Sequence, residues 1–160
     1  MTKLPEGSFS IRPAVVQDLD ALTFIDAVCF QPGIAYPREE IEFLLLNPTV
    51  ITLVAERSGD IVGLAALERR RRTRQTARYG ELVTLEVLPE FRRESIGGAL
   101  YQALETRLRD WGGSSIHLHV SVENTAAVAF YQSLSFRVVD RVPEYYLRKI
   151  DAWHMEKDLL

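Results

Sequence analysis

The sequence predicts an α/β domain built on a mixed sheet, with seven strands and four helices. Three observations carry this expectation. Apolar periodicity switches repeatedly between strand and helix spacing, and the resulting order of elements mixes hairpins with crossovers. The composition, 47% hydrophobic and 26% charged over 160 residues, is that of a single globular domain with its own core. The domain is expected over residues 9–160, after a short N-terminal extension at 1–8. No internal repeat, low-complexity stretch or linker is evident.

The elements follow in order. Phe9 to Arg12 predicts a first strand. Val15, Leu19, Leu22, Ile25 and Cys29 recur at helical spacing, which makes Cys29 a core residue rather than a nucleophile. Pro37 suits a first helical position, and Glu39 with Glu40 suits the positive end of a second helix. That helix carries Ile41, Leu44 and Leu45 and should stop near Asn47-Pro48. Val50 to Arg57 and Ile61 to Glu68 are β-rich runs joined by Ser58-Gly59-Asp60, a hairpin signal. Glu81 to Leu88 reads as a long buried strand. Ile96 to Trp111 reads as a helix with Ile96, Leu100, Leu104, Leu108 and Trp111 on one face. Ser115 to Val120 is a strand, Asn124 caps a helix reaching about Leu134, and Phe136 to Val142 and Ala152 to Asp158 are the last strands.

Charge narrows the function classes. A net charge of −3 argues against broad binding to a nucleic-acid backbone. The run Arg69, Arg70, Arg71, Arg72, Arg74 and Arg78 is a local exception, either a solvated loop between strands or an electropositive rim. No apolar run approaches the roughly 18 residues that span a bilayer, and Met1 to Gly7 lacks the apolar stretch of a secretory signal. A single cysteine leaves no internal disulfide and no Cys-based zinc cluster. A cytoplasmic protein without membrane or nucleic-acid partners is the default expectation.

The most informative segment runs from Val87 to Leu100: a buried strand, a turn with Arg92 and Arg93, then a helix opening on Gly97 and Gly98. Unpaired N–H groups and partial positive charge at a helix N-terminus bind anions, and glycines there let a bulky pyrophosphate approach. A tight turn with surface arginines is the plainer alternative. Neither the Walker nor the dinucleotide glycine pattern is present.

Arg92-Arg93-Glu94-Ser95-Ile96-Gly97 resembles the Arg/Gln-x-x-Gly-x-Gly/Ala turn of the GNAT acyltransferases, with Ser95 where that family has its first glycine. Because position 95 opens a helix, a right-handed backbone is expected there. Asn124, Ala127, Tyr131 and Phe136 match the family's second motif, with Ser135 in place of a glycine just past the helix. The resemblance spans the chain from Phe9 onward and implies a mostly antiparallel sheet with splayed central parallel strands. It also implies acetyl-CoA as co-substrate. Leu85, Val87, Arg92, Arg93, Ser95, Ile96, Gly97, Gly98, Ala99, Asn124 and Tyr131 would then contact the cofactor, the Val87 N–H facing the thioester oxygen. By the same resemblance Tyr131 protonates the leaving thiolate; by its residue type alone it is a core tyrosine.

Acetyl transfer also needs a neutral amine. An α-amine with pKa about 8 is far easier to deprotonate than a lysine at about 10.4. Candidate bases are Glu81, His119 and, less so, Glu86; a strand histidine bonded to backbone is the alternative for His119. Leu118-His119-Val120 resembles the NatE-type N-terminal acetyltransferases, and Glu81 stands where those enzymes carry a tyrosine. His117 shares a strand face with His119, but with no third ligand evident no metal is expected. Tyr145-Tyr146 and the closing Asp151-Ala152…Met155-Glu156-Lys157 strand resemble the ending of RimI-like and NatE-type enzymes. Tyr36 and Tyr145 are therefore expected in substrate contact, unless these aromatic loops merely cover a sheet edge. The implied reaction is acetylation of a protein or peptide N-terminus by direct attack. A small amine as acceptor and a non-catalytic CoA-binding module are the alternatives, and a monomer or homodimer is expected.

Overall fold

The computed structural model describes residues 7–73 and 77–160; Arg74 of the basic run and residues 1–6 of the extension lie outside the described residues. The elements are β1 (Ser10–Pro13), α1 (Leu19–Cys29), α2 (Arg38–Leu46), β2 (Val50–Arg57), β3 (Asp60–Arg71), β4 (Arg78–Val87), α3 (Ile96–Asp110), β5 (Gly113–Ser121), α4 (Thr125–Ser133), β6 (Arg137–Tyr146) and β7 (Ile150–Asp158). Short 3-10 turns occupy Val16–Asp18 and Pro89–Phe91. The expected order is thus the observed one. The strands form one sheet in the order β1-β2-β3-β4-β5-β7-β6. β4 runs parallel to β5, with Glu81 beside His117, while β1 with β2, β5 with β7 and β6 with β7 are antiparallel. Among the described residues no helix is long and apolar enough to cross a membrane.

Two compact units divide the chain, Met1–Leu67 with Thr84–Thr106 and Glu68–Val83 with Arg107–Leu160. In the first, Leu19, Leu22, Ile25 and Ile41 pack with Val54 and Leu64, and Cys29 joins that core from its edge. Arg12 ties β1 to its surroundings: its guanidinium reaches both Asp18 oxygens at 2.8 and 3.0 Å and Glu56 at 3.0 Å. The α2 boundary differs slightly from expectation. Pro37 is the N-cap, extended at ψ 154°, and its carbonyl receives the Glu40 and Ile41 N–H groups, so the helix starts at Arg38.

In the second unit two expectations are corrected. The start of the arginine run is strand rather than solvated loop, because β3 continues through Arg71; Arg72 follows in a bend. Strand alternation sends Arg69 and Arg71 to one face, where their guanidiniums lie 5.6 and 5.7 Å from the Trp111 ring; Arg78 joins them at 5.2 Å. The segment carrying Tyr145 and Tyr146 is likewise strand rather than loop. Pro143 and a left-handed Glu144 (φ 53) sit where the β6–β7 register shifts between Val142 and Tyr146. Loop signals in sequence thus mark a bulge in an edge strand, which tolerates proline. Asp151 holds the bulge, accepting the Glu144 N–H at 2.9 Å and Arg141 at 2.7 Å. Those two bonds keep its carboxyl below the usual range.

One buried pair in the first unit carries a cost. Glu86, 3% exposed, stands against Asp26, 2% exposed, in a small cavity also lined by Leu22, Tyr36 and Thr84. Burial, then the hydrogen bond and charge of Asp26, push the Glu86 carboxyl up to about 9, against a lowering bond from Thr84. A folded value above the unfolded one favours folding fully below about pH 4.5 and progressively less as pH rises towards 9. Thermal melts at pH 5, 7 and 9 should therefore show Glu86→Gln gaining on the parent protein with rising pH, by up to about 1.4 kcal/mol per unit. A gap that stays constant with pH would contradict the assignment.

Candidate functional site

The first unit carries the anion cradle. β4 delivers Leu85 and Val87 to the turn, and α3 opens at Ile96, which is buried and anchors the helix end. The Ala99 N–H already donates to the Ser95 carbonyl at 3.1 Å, so the groups left without an intrahelical acceptor by position are those of Ile96, Gly97 and Gly98. A Cβ added at Gly98 would meet nothing within 4 Å, so the backbone there is open to a bulky anion. This fits a pyrophosphate. Arg92 is exposed but folds back on the turn: its Nε donates to the Val87 carbonyl at 3.0 Å and its Nη2 lies 3.7 Å from the Cys29 sulfur. The arginine therefore closes the turn as well as charging it. Burial first, then the nearby Glu86 charge, push the Cys29 thiol up despite Arg92, consistent with a core thiol rather than a nucleophile.

The backbone at Ser95 overturns the expected right-handed conformation. Its φ is 66, and Arg93 two residues earlier has φ 65. Both are left-handed, because the chain must reverse between the Pro89–Phe91 turn and α3. A glycine is the low-strain residue at such a position, and serine costs about 1 kcal/mol there. Ser135 (φ 76) follows the same rule just past α4, as its motif position leads one to expect.

The second unit carries an acid–base cluster. Glu81 Oε1 lies 3.4 Å from His119 Nδ1, an ion-pair distance that is long for a hydrogen bond. The two candidate bases, far apart along the chain, thus meet through the β4–β5 alignment. Tyr145 stacks on the His119 ring, centroids 4.6 Å apart and planes within 7°, while the Tyr146 hydroxyl donates to the His119 carbonyl at 3.3 Å. Burial alone would raise Glu81, but the facing His119 imidazole, helped by the charges of Arg70 and His117, leaves its carboxyl below the usual range. Burial, then the Glu81 charge, push the Tyr145 phenol up. Glu81 is thereby held ionised.

Four neighbours of this cluster escaped the sequence reading. Arg70 projects to the face opposite Arg69 and Arg71, and Arg72, just past the strand end, lies 3.4 Å from His117 Nε2. Strand alternation through the arginine run was the available signal. His154 and Glu156 come from β7, whose antiparallel register sets His154 opposite His119 and Glu156 opposite His117. The third potential ligand not evident in sequence is therefore present: His117, His154 and Glu156 offer ligand atoms within 4.8 Å of one another. Burial holds the His117 imidazole below its ordinary value, with His154 and Arg72 adding to this and Glu156 opposing it.

Of the remaining predicted residues, Asn124 caps α4, its side chain accepting the Ala127 N–H at 3.1 Å. Tyr131 on α4 is buried at 8% exposure and packs edge-on against Phe130 and Phe136. Tyr36 belongs to the first unit, where its backbone N–H donates to Asp26.

Comparison with known proteins adds an independent line. The acetyltransferase (GNAT) family description matches residues 18–136. An N-alpha-acetyltransferase of Saccharolobus solfataricus is 35% identical over 158 residues, covering 94% of this chain and 93% of the relative. The crystal structure of ribosomal-protein-alanine N-acetyltransferase from Brucella melitensis, 26% identical, superposes with a TM-score of 0.79 over 94% of this chain and 99% of that one. Arabidopsis thaliana NAA60 in complex with acetyl-CoA, 20% identical, shares the fold at a TM-score of 0.84 over 95% and 99% of the two chains.

The strain at position 95 is testable. Ser95→Gly should stabilise the protein by about 1 kcal/mol in urea denaturation, and Ser95→Val should destabilise it. Equal stability of all three proteins would mean that no left-handed strain is present.

Proposed function

The chain belongs to the acetyltransferase (GNAT) family, and from that premise we propose that it acetylates the α-amino group of a protein or peptide N-terminus. The observation that carries this reading is the meeting of Glu81 and His119 beneath Tyr145. The names of its relatives, N-alpha-acetyltransferases over nearly their whole length, support the same acceptor class. Acetyl-CoA supplies the acetyl group as an activated thioester.

In this reading the helix start at Ile96–Gly98, with Arg92 and Arg93, holds the pyrophosphate, and Leu85 and Val87 bind the pantetheine arm by their backbone. The Val87 N–H polarises the thioester carbonyl. Glu81, acting through His119 and an intervening water, takes one proton from the incoming ammonium. The amine nitrogen then forms the new bond to the acetyl carbon as the carbon–sulfur bond breaks; Tyr131 gives its hydroxyl proton to the departing sulfur, and the second proton shed by the nitrogen as the amide forms restores the Tyr131 hydroxyl. Tyr36 and Tyr145 are each assigned to substrate contact. An α-amine suits this modest base: with a pKa of about 8, roughly a tenth is already neutral at pH 7.

Acetyl-CoA turnover should be measured with a panel of peptides, with lysine side chains in N-terminally blocked peptides, and with polyamines and aminoglycosides. Peptide α-amines are expected to give the highest kcat/KM, rising with pH below about 8. Glu81→Gln and His119→Gln should each lower kcat by about 10²-fold or more. Preferential turnover of a small amine would refute the acceptor class. Coenzyme A binding without turnover on any amine would leave a non-catalytic module.

A further inference from the structure

We propose that His117, His154 and Glu156 form a binding site for a single divalent transition-metal ion such as zinc, clamping β5 to β7 beside His119. The argument starts from the ladder. His117 faces Glu156 directly across the antiparallel pair, and His154 lies two residues along β7 on the same side of the strand. Their free atoms converge: His117 Nδ1 is 3.0 Å from His154 Nε2 and 3.6 Å from Glu156 Oε2. Ligands at zinc–nitrogen and zinc–oxygen distances of about 2.0–2.1 Å in a tetrahedron lie about 3.3 Å apart, between those two separations. Three protein ligands leave a fourth position for water.

The outer atoms of the same residues are held as metal ligands require. His154 Nδ1 contacts Asp140 Oδ2 at 3.1 Å, a carboxylate that fixes the tautomer presenting Nε2 inward. His117 Nε2 lies 3.3 Å from the Ser115 hydroxyl. Arg137 engages Glu156 Oε1, leaving Oε2 on the inner side. Each ligand thus has one atom turned to the common centre and another anchored. Without an ion, only one proton fits between the two facing imidazole nitrogens. On binding, an ion replaces that proton, which moves to Nε2 of His117 facing Ser115, so the two neutral rings stay neutral.

One feature opposes the site. Arg72 Nη2 lies 3.4 Å from His117 Nε2 and favours the tautomer with the proton on Nδ1, in which Arg72, His117, His154 and Asp140 form a hydrogen-bond chain instead. The ion must overcome that preference. Its consequence reaches the acid–base cluster, because the His119 ring rests on His154 with centroids 5.2 Å apart.

The test is zinc titration of the chelator-stripped full-length protein by calorimetry, with thermal melts in parallel. One equivalent of zinc is expected to bind and raise Tm. His154→Gln and Glu156→Gln should each weaken binding at least about tenfold and abolish the Tm rise, and Asp140→Asn should weaken it to a smaller degree. Cys29→Ser should leave it unchanged. Glutamine keeps a polar side chain of similar size at both positions, and far-UV circular dichroism verifies that each variant is folded. Absence of saturable binding up to about 0.1 mM zinc overturns the proposal and leaves the hydrogen-bond chain. Binding that survives both glutamine variants, or that is lost with Cys29, overturns it equally.

Discussion

The antiparallel register of β5 against β7 is the constraint on which the chemistry of the second unit depends. It sets His119 opposite His154 and His117 opposite Glu156, so four titratable side chains share one face of two neighbouring strands. A slip of β7 by one residue would turn His154 and Glu156 to the other face and dissolve the cluster. The buried apolar pair between them, Leu118 on β5 and Met155 on β7, resists that slip, because the same displacement would turn Met155 away from the apolar face it shares with Leu118. Hydrophobic burial thereby holds a polar arrangement in place.

Charge is distributed by the same period. β3 continues through Arg71, and the alternation of its side chains separates two tasks. Arg69 and Arg71 cover Trp111, while Arg70 lends its charge to the ionised form of Glu81 and Arg72 reaches His117. One strand thus supplies packing on one side and electrostatic tuning on the other. In the first unit the order is reversed, since the anion cradle relies on backbone. Ile96 is buried, Gly98 stays open, and Arg92 commits a hydrogen bond to the Val87 carbonyl to keep the turn closed.

Much of this was legible from residues alone, for identifiable reasons. Helical spacing from Leu19 to Cys29 and from Ile96 to Leu108 needs no partner to be read, and Asn124 announces its helix by local capping. Glu81 and His119 stood out as candidate bases by type and position. Their meeting, by contrast, comes from the pairing of strands distant in sequence. His154 and Glu156 were missed for the same reason, being ordinary strand residues until β7 is aligned with β5. Ser95 misled because a helix-opening position suggests right-handed backbone, whereas the preceding reversal imposes the opposite hand. Pro143 misled in a parallel way, as an edge-strand bulge and a loop share the same local vocabulary.

The bulge at Glu144 gives the two following tyrosines opposite duties towards one histidine. Tyr145 lies flat on the His119 ring, and Tyr146 grips its main chain. Anything that reshapes this dipeptide therefore shifts both the ring and the main chain of His119. The bulge and the imidazole are mechanically joined at this corner, so neither can drift without dragging the other along.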